Sequence, residues 1–329
     1  MRFLKAAPLR ATHYEVNLNW LDKLFIKRID RTNGFNRRMF NEDFSNIFRT
    51  ANRRSDDLFI INSNNDDLAG RLLGGIQTRY RQKSKDDKLI EVIEQIAQTL
   101  MSYRTAIYYV HNDEKKEKIH IIWHNTSNIL RIAGQNIQYN PNRVQQKLDD
   151  PDLYFGREVR LIDSRNTLCF KLLRSIRKKI NSQNRILASL DRYDGSIALK
   201  FQPRITHEDP NPRRIFDFKQ WQNAHDLALY RATLQTGWNA RKYDSEKRSD
   251  FFDCHRRIRF RRLQLALRDD LLKQLSKELT KVGQSYSPNF TIEIRVSNKL
   301  PSVTHLDELE ARLMREEAGF SEVIDYCLR

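Results

Sequence analysis

Apolar positions first recur at helical spacing over residues 84–103. There Leu89, Val92, Ile93, Ile96, Ala97, Leu100 and Met101 make one face. Ser84 stands at the N-cap position, and Asp86 and Asp87 occupy the first turn, where carboxylates complement the helix dipole. Thr105–Val110 and Lys118–Trp123 follow as strand-like runs around the polar segment His111–Glu117, which predicts a hairpin. Ile129–Ala133 and Ile137–Tyr139, joined through Gly134, are expected to continue it as a meander. A short helix is expected near 142–149, opened by Pro141 and Asn142 and ended by Pro151. A long helix follows over 165–190, with Leu168, Leu172, Leu173, Ile176, Ile180, Ile186 and Leu187 as its apolar set. A turn at Gly195 then predicts a strand, Ser196–Gln202, and the three prolines in 203–214 predict a loop.

The pattern turns helical again at 217–236, with Asp217 before it and Gly237 after it. Residues 238–250 are polar without a period. A helix over 251–283 ends at Gly283, and a strand, Phe290–Val296, follows. Helices at 304–317 and 321–327 finish the chain. Residues 1–83 give no clear reading. Val16–Leu21 alternates, and 31–56 carries Arg31, Arg37, Arg38, Arg49, Arg53 and Arg54, as a basic helix or a loose arm.

Composition adds a charge argument. Among 329 residues there are only 10 Gly and 8 Pro, which favours long helices over a many-turned β fold. The formal net charge of +17 concentrates a polyanion near the surface, and nucleic acid is the commonest one. No apolar run reaches the roughly 18 residues of a spanning helix, and the start, MRFLKAAPLR, has no signal-peptide core. No membrane is expected, and the chain reads as cytosolic when made. Cys169, Cys254 and Cys327 form no CxxC pair and read as small, partly buried thiols.

The charge is clustered. Residues 171–185 carry Lys171, Arg174, Arg177, Lys178, Lys179 and Arg185 with no acid, and Arg174, Arg177 and Lys178 share a helix face. Residues 256–262 add Arg256, Arg257, Arg259, Arg261 and Arg262 around Ile258 and Phe260, which are expected to pack inward. These cations suit sequence-independent phosphate contact, a solvated face, or pairing with acids of a neighbouring subunit. No helix-turn-helix or zinc-ligand spacing for base readout is present.

Catalytic motifs are missing: no Walker A, no GxGxxG after a strand, no HExxH and no GxSxG. His120 and His124 lie on a strand and its exit, which disfavours a shared metal, and Asp253, Cys254 and His255 point apart on a helix. No cofactor is expected. The rival readings are a metal-dependent nuclease built on Glu208, Asp209 and Glu293, and a basic DNA-binding protein of another kind.

Four stretches resemble the portal (head-to-tail connector) proteins of tailed bacteriophages. They are the helix and hairpin at 90–125, the helices at 165–190 and 217–236 around a proline loop, the break at 237–250 before a long helix, and residues 290–329. In the last, Pro301, Gly319, Phe320 and Ser321 stand at the stop and step positions of the family's wing. The resemblance implies an α+β, ring-forming subunit with long stem and wing helices and small β-sheets. It also implies a parts list: an N-terminal arm or wing segment (1–83), an α+β wing (84–164), a stem helix (165–189), a clip (190–216) and a second stem helix (217–236). A channel loop (237–250), a long wing helix with a strand (251–303) and C-terminal helices forming a short crown (304–329) complete it.

By the same resemblance, Arg241, Lys242, Lys247 and Arg248 would reach double-stranded DNA from the channel loop; the helical charge cluster adds Arg174, Arg177 and Lys178 as candidate DNA contacts. Pro203, Arg204, Glu208, Asp209 and Pro210 would lie on the clip, where partners dock. A non-enzymatic, twelve-subunit homo-oligomer at one capsid vertex is implied, passing DNA during packaging and ejection. It would meet the major capsid protein, the terminase and tail or adaptor proteins, in the virion and, during assembly, in the host cytoplasm.

Overall fold

A computed structural model describes residues 6–7, 19–26, 34–48, 57–79, 84–113, 118–132, 135–141, 143–147, 150–155, 157–200, 218–241 and 249–328. In chain order the elements are β1 (Ala6–Ala7), α1 (Trp20–Phe25), α2 (Phe35–Ser45), β2 (Phe59–Ser63), α3 (Asp66–Gly75), α4 (Lys85–Tyr103), β3 (Thr105–Asp113), β4 (Lys118–His124), β5 (Ile129–Ile132) and β6 (Gln135–Asn140). Then come β7 (Arg143–Lys147), β8 (Asp150–Phe155), β9 (Glu158–Ile162), β10 (Thr167–Lys171), α5 (Arg174–Lys200), α6 (Phe218–Thr233), α7 (Asp250–Gly283), β11 (Ile292–Val296), α8 (Val303–Met314) and α9 (Phe320–Leu328). The fold is therefore α+β, with long helices and small, mostly antiparallel sheets. It divides into two compact units. The first holds Met1–Ile29, Arg53–Leu172 and Arg268–Lys299; the second holds Asp30–Asn52, Leu173–Leu267 and Leu300–Arg329.

The first unit is built around α4 and the sheet β10-β3-β4. Ser84 Oγ accepts the Asp87 backbone N–H at 3.0 Å, so the expected cap is present. Beyond its first turn α4 buries Leu89, Ile93, Ile96 and Leu100, and also Gln95 and Thr99, so little of its surface reaches water. Thr99 is satisfied by the Gln95 carbonyl and by Trp123 Nε1, which donates to it at 3.1 Å. Trp123 lies opposite Tyr108 on the hairpin, so that face meets α4. The other face carries Ile107 and Tyr109, which pack with Ile129 of β5 and Ile162 of β9.

Four expectations need correction. Within the helix expected at 142–149, the described residues Arg143–Lys147 form strand β7 instead: β7 and β8 pair antiparallel, and Pro151 sits in a two-stranded sheet, where a missing N–H is tolerated. The helix predicted from 165 begins at Arg174, because Thr167–Lys171 is strand β10, paired residue by residue with β3. There is no strand at 196–200: α5 runs through Gly195 to Lys200, a glycine costing a helix only ~1 kcal/mol, while Leu190 and Ile197 keep a seven-residue repeat. The beginning of the expected clip is thus helical. β5 and β6 do not extend the hairpin sheet but pair with each other and, through β6, with β9. In the stretch that gives no clear reading, Trp20 and Leu21 lie in α1.

The second unit is mainly helical. α5 packs on α2 and α6, while α8 and α9 close over α7 through Ile258, Leu265, Leu306, Leu309, Leu313 and Val323. After α6 the chain turns at Gly237, where φ is +77° and a Cβ would stand 2.2 Å from the Arg256 carbonyl oxygen. Only glycine meets both demands, so the predicted helix stop has a packing reason as well as a conformational one.

Candidate nucleic-acid interface

α5 buries Ile176, Ile180, Gln183 and Leu187 on one face. At ~100° per residue, Arg174, Lys178, Arg185 and Arg192 fall within about 40° of one line on the opposite face. All four are exposed. Arg177 and Lys179, also exposed, flank the row. The row extends about 27 Å at ~1.5 Å per residue. The one acid between Arg174 and Arg192 is Asp191, which is buried and turned to another task. Among the described residues no carboxylate pairs with these six cations. The row contains the predicted Arg174 and Lys178, with Arg177 at its side. Arg192 extends it beyond the expected cluster, and the seven-residue steps from Lys178 to Arg185 to Arg192 are the signal that marks it.

The arginines at 256–262 behave differently. Ile258 and Phe260 are buried as expected, but so are Arg256 and Arg261. Arg256 Nη2 donates to Thr233 Oγ1 at 2.8 Å and to the Trp238 carbonyl, and its guanidinium lies 4.9 Å over the Tyr230 ring. Arg261 Nη1 donates to the Ile47 carbonyl at 2.7 Å. Gln264 Nε2 donates to the carbonyls of Asp43 at 2.9 Å and Asn46 at 3.1 Å. Together Arg261 and Gln264 satisfy carbonyls at and just past the C-terminus of α2 that the helix leaves open. Arg259 donates to the Leu234 carbonyl at 2.7 Å. Arg262 bridges Asp307 and Glu310. Burial alone would raise the Glu310 carboxyl, but Arg262, with help from His255, holds it below its usual value. In this cluster Arg257 is half-buried and has no carboxylate partner among the described residues.

Arg241, expected on a channel loop, is held by Asp43: its Nε donates at 2.8 Å, and Glu42 lies 3.5 Å away. Asp43 also accepts Trp238 Nε1 at 2.8 Å, and its hydrogen bond to Arg241 raises the guanidinium pKa. Arg241 is therefore a fastening between α2 and the 234–241 turn. Lys242, Lys247 and Arg248, and the expected docking residues Pro203, Arg204, Glu208, Asp209 and Pro210, lie outside the described residues.

Of the candidate catalytic residues, Cys254, His255 and Glu293 are described, while Glu208 and Asp209 lie outside the described residues. Cys254 is buried with its thiol raised by burial, and His255 Nδ1 faces Glu310 at 3.1 Å. Glu293 is paired with Arg295 at 2.6 Å. Among the described residues no three His, Cys, Asp or Glu side chains converge on a metal position, and no helix is long and apolar enough to cross a membrane.

No family profile and no curated protein matches the chain. Among the solved structures similar to it are two of gene transfer agent particles. A chain in the neck of an empty gene transfer agent particle, computed with C6 symmetry, has a TM-score of 0.42 at 10% identity, over 82% of this chain and 84% of that one. A chain in the virion of a native gene transfer agent particle has a TM-score of 0.39 at 10% identity, over 85% of this chain and 84% of that one. Scores this low leave function to the residues themselves.

Proposed function

We propose that this chain is a portal-type subunit: a ring-forming, non-enzymatic protein of a phage-like particle, through which double-stranded DNA passes. The observation that carries the reading is the exposed cation row Arg174, Lys178, Arg185 and Arg192, set opposite the buried face of α5 and left without acids among the described residues. Such a row is electrostatically unfavourable alone and is relieved by a polyanion. Its contacts would be to phosphate, individually weak and salt-screened, which suits a duplex that must slide. The order of elements resembling portal proteins supports the same assignment. Terminase, capsid and tail or adaptor proteins are the partners it implies.

The test is direct. The purified full chain, imaged by negative stain and weighed by light scattering, should form a closed ring with a hole wide enough for a duplex. A monomer at every concentration and salt, also in the presence of capsid and terminase proteins, removes the reading.

A further inference from the structure

The second unit carries two surfaces of complementary chemistry. One is a cleft of about 170 Å³ beside α7, whose lining includes Arg257, Arg241, Arg261, Phe260 and Leu328, and one carboxylate, Asp43, which is already held by Arg241 and Trp238. Arg241 and Arg261 are already bonded to other groups, which leaves Arg257 as the cation able to take a new anion. Leu328, 45% exposed, gives the cleft an apolar lip.

The other surface is the turn between α8 and α9. Glu316 is exposed there with φ at +63°, a left-handed conformation that a helix end ordinarily gives to glycine. Its neighbours do not neutralise it: Arg315 pairs with Glu317 at 3.0 Å, and Arg312 with Glu322 at 2.8 Å. Met314 and Phe320, 61% and 40% exposed, flank the glutamate. Methionine and aromatic residues are enriched at interfaces relative to the rest of the surface. Residues 300–329 hold seven acids against three Arg, in a chain whose total is +17.

We infer that the α8–α9 turn of one copy docks in the arginine cleft of a second copy, with Glu316 against Arg257 and the apolar residues around them. Two different patches of one chain meeting in this way make a head-to-tail contact, which repeats into a ring or a filament. The contact is compatible with the ring proposed above but does not depend on DNA.

Sedimentation velocity on the full chain tests it with Glu316→Arg, Arg257→Glu and the double variant, circular dichroism checking that each folds. Each single reversal should raise the concentration for half-assembly at least ~10-fold, since like charges then face each other. The exchanged pair should recover most of that loss. Single variants that assemble like the parent, or a double variant no better than the singles, overturn the contact while leaving a ring possible. Assembly that follows these charges but images as open filaments keeps the contact and removes the closed ring.

Discussion

Asp191 accepts the backbone N–H of Asn36 at 2.8 Å, across 155 positions of sequence. The same oxygen takes Asn36 Nδ2 at 3.0 Å, and the other oxygen takes the Arg37 N–H at 3.4 Å. A carboxylate from α5 thus caps the N-terminus of α2, while Arg261 and Gln264 from α7 close the opposite end. Acid at the start and a cation at the finish both oppose the helix dipole. Gly34, the residue before α2, has no side chain to do the capping itself.

Replacing Asp191 with Ala should lower stability by about 1–3 kcal/mol, since two backbone donors and a buried amide lose their acceptor. Urea denaturation measures it. A midpoint unchanged from the parent would mean that water replaces the carboxylate without loss.

Buried and exposed arginines should separate cleanly. Arg256→Met or Arg261→Met should each cost about 2–4 kcal/mol by stranding buried carbonyls. Changing Arg174, Lys178, Arg185 and Arg192 together to Gln should leave thermal stability within ~0.5 kcal/mol per site. The same quadruple variant should flatten the salt dependence of DNA binding, by about 0.9 in the logarithmic slope for every phosphate it ceases to neutralise. Filter binding across a salt series, beside thermal melts, checks both halves.

Stability should fall with acid through His124. Burial first, then His111, pushes the folded-state pKa of this buried imidazole down to about 4. His111, lowered in turn by burial and by His120, stands opposite His120 on the same hairpin. The unfolded imidazole titrates near ~6.5, so between that value and 4 the unfolded chain binds more protons. The contribution is whole above about pH 6.5 and is lost progressively as pH falls to 4, on the order of 2–3 kcal/mol. Denaturation midpoints at about pH 7, 6, 5 and 4.5 for the parent and for His124→Gln should diverge, with the variant less acid-sensitive.

Gly237→Ala should destabilise by at least ~2 kcal/mol, because the added Cβ meets the Arg256 carbonyl and must also accept a positive φ. Differential scanning fluorimetry suffices to read it.

The sequence discloses most where one period runs long and its ends are marked. α4, α7, α8 and the β3–β4 hairpin fall within a few residues of expectation. It misleads where two patterns overlap. Leu168, Leu172 and Ile176 keep a helical interval, yet Thr167–Lys171 is claimed by β3 across a sheet, and pairing with a distant strand leaves no local trace. β2 and α3 carry no clear signature because Phe59–Ser63 is short and its partner, β11, lies over 200 residues later.

For the site, the exposed row on α5 is half visible in the run 171–185, since a helix that buries one side must show its charges on the other. The cluster at 256–262 turns out opposite to what its charge suggests. Spacing reveals that Ile258 and Phe260 turn inward, but not that Arg256 and Arg261 follow them to reach carbonyls on other segments. A count of basic residues overstates the charge facing outward whenever guanidinium groups serve as internal struts.

In the proposed ring, because the four cations on α5 stand in a straight file while a duplex coils, each copy would touch the winding phosphate chain only where the two cross. Grip would then accumulate by the number of copies around the strand rather than by the strength of any one. Every copy would release as easily as it engages, much as bearings carry a shaft without holding it.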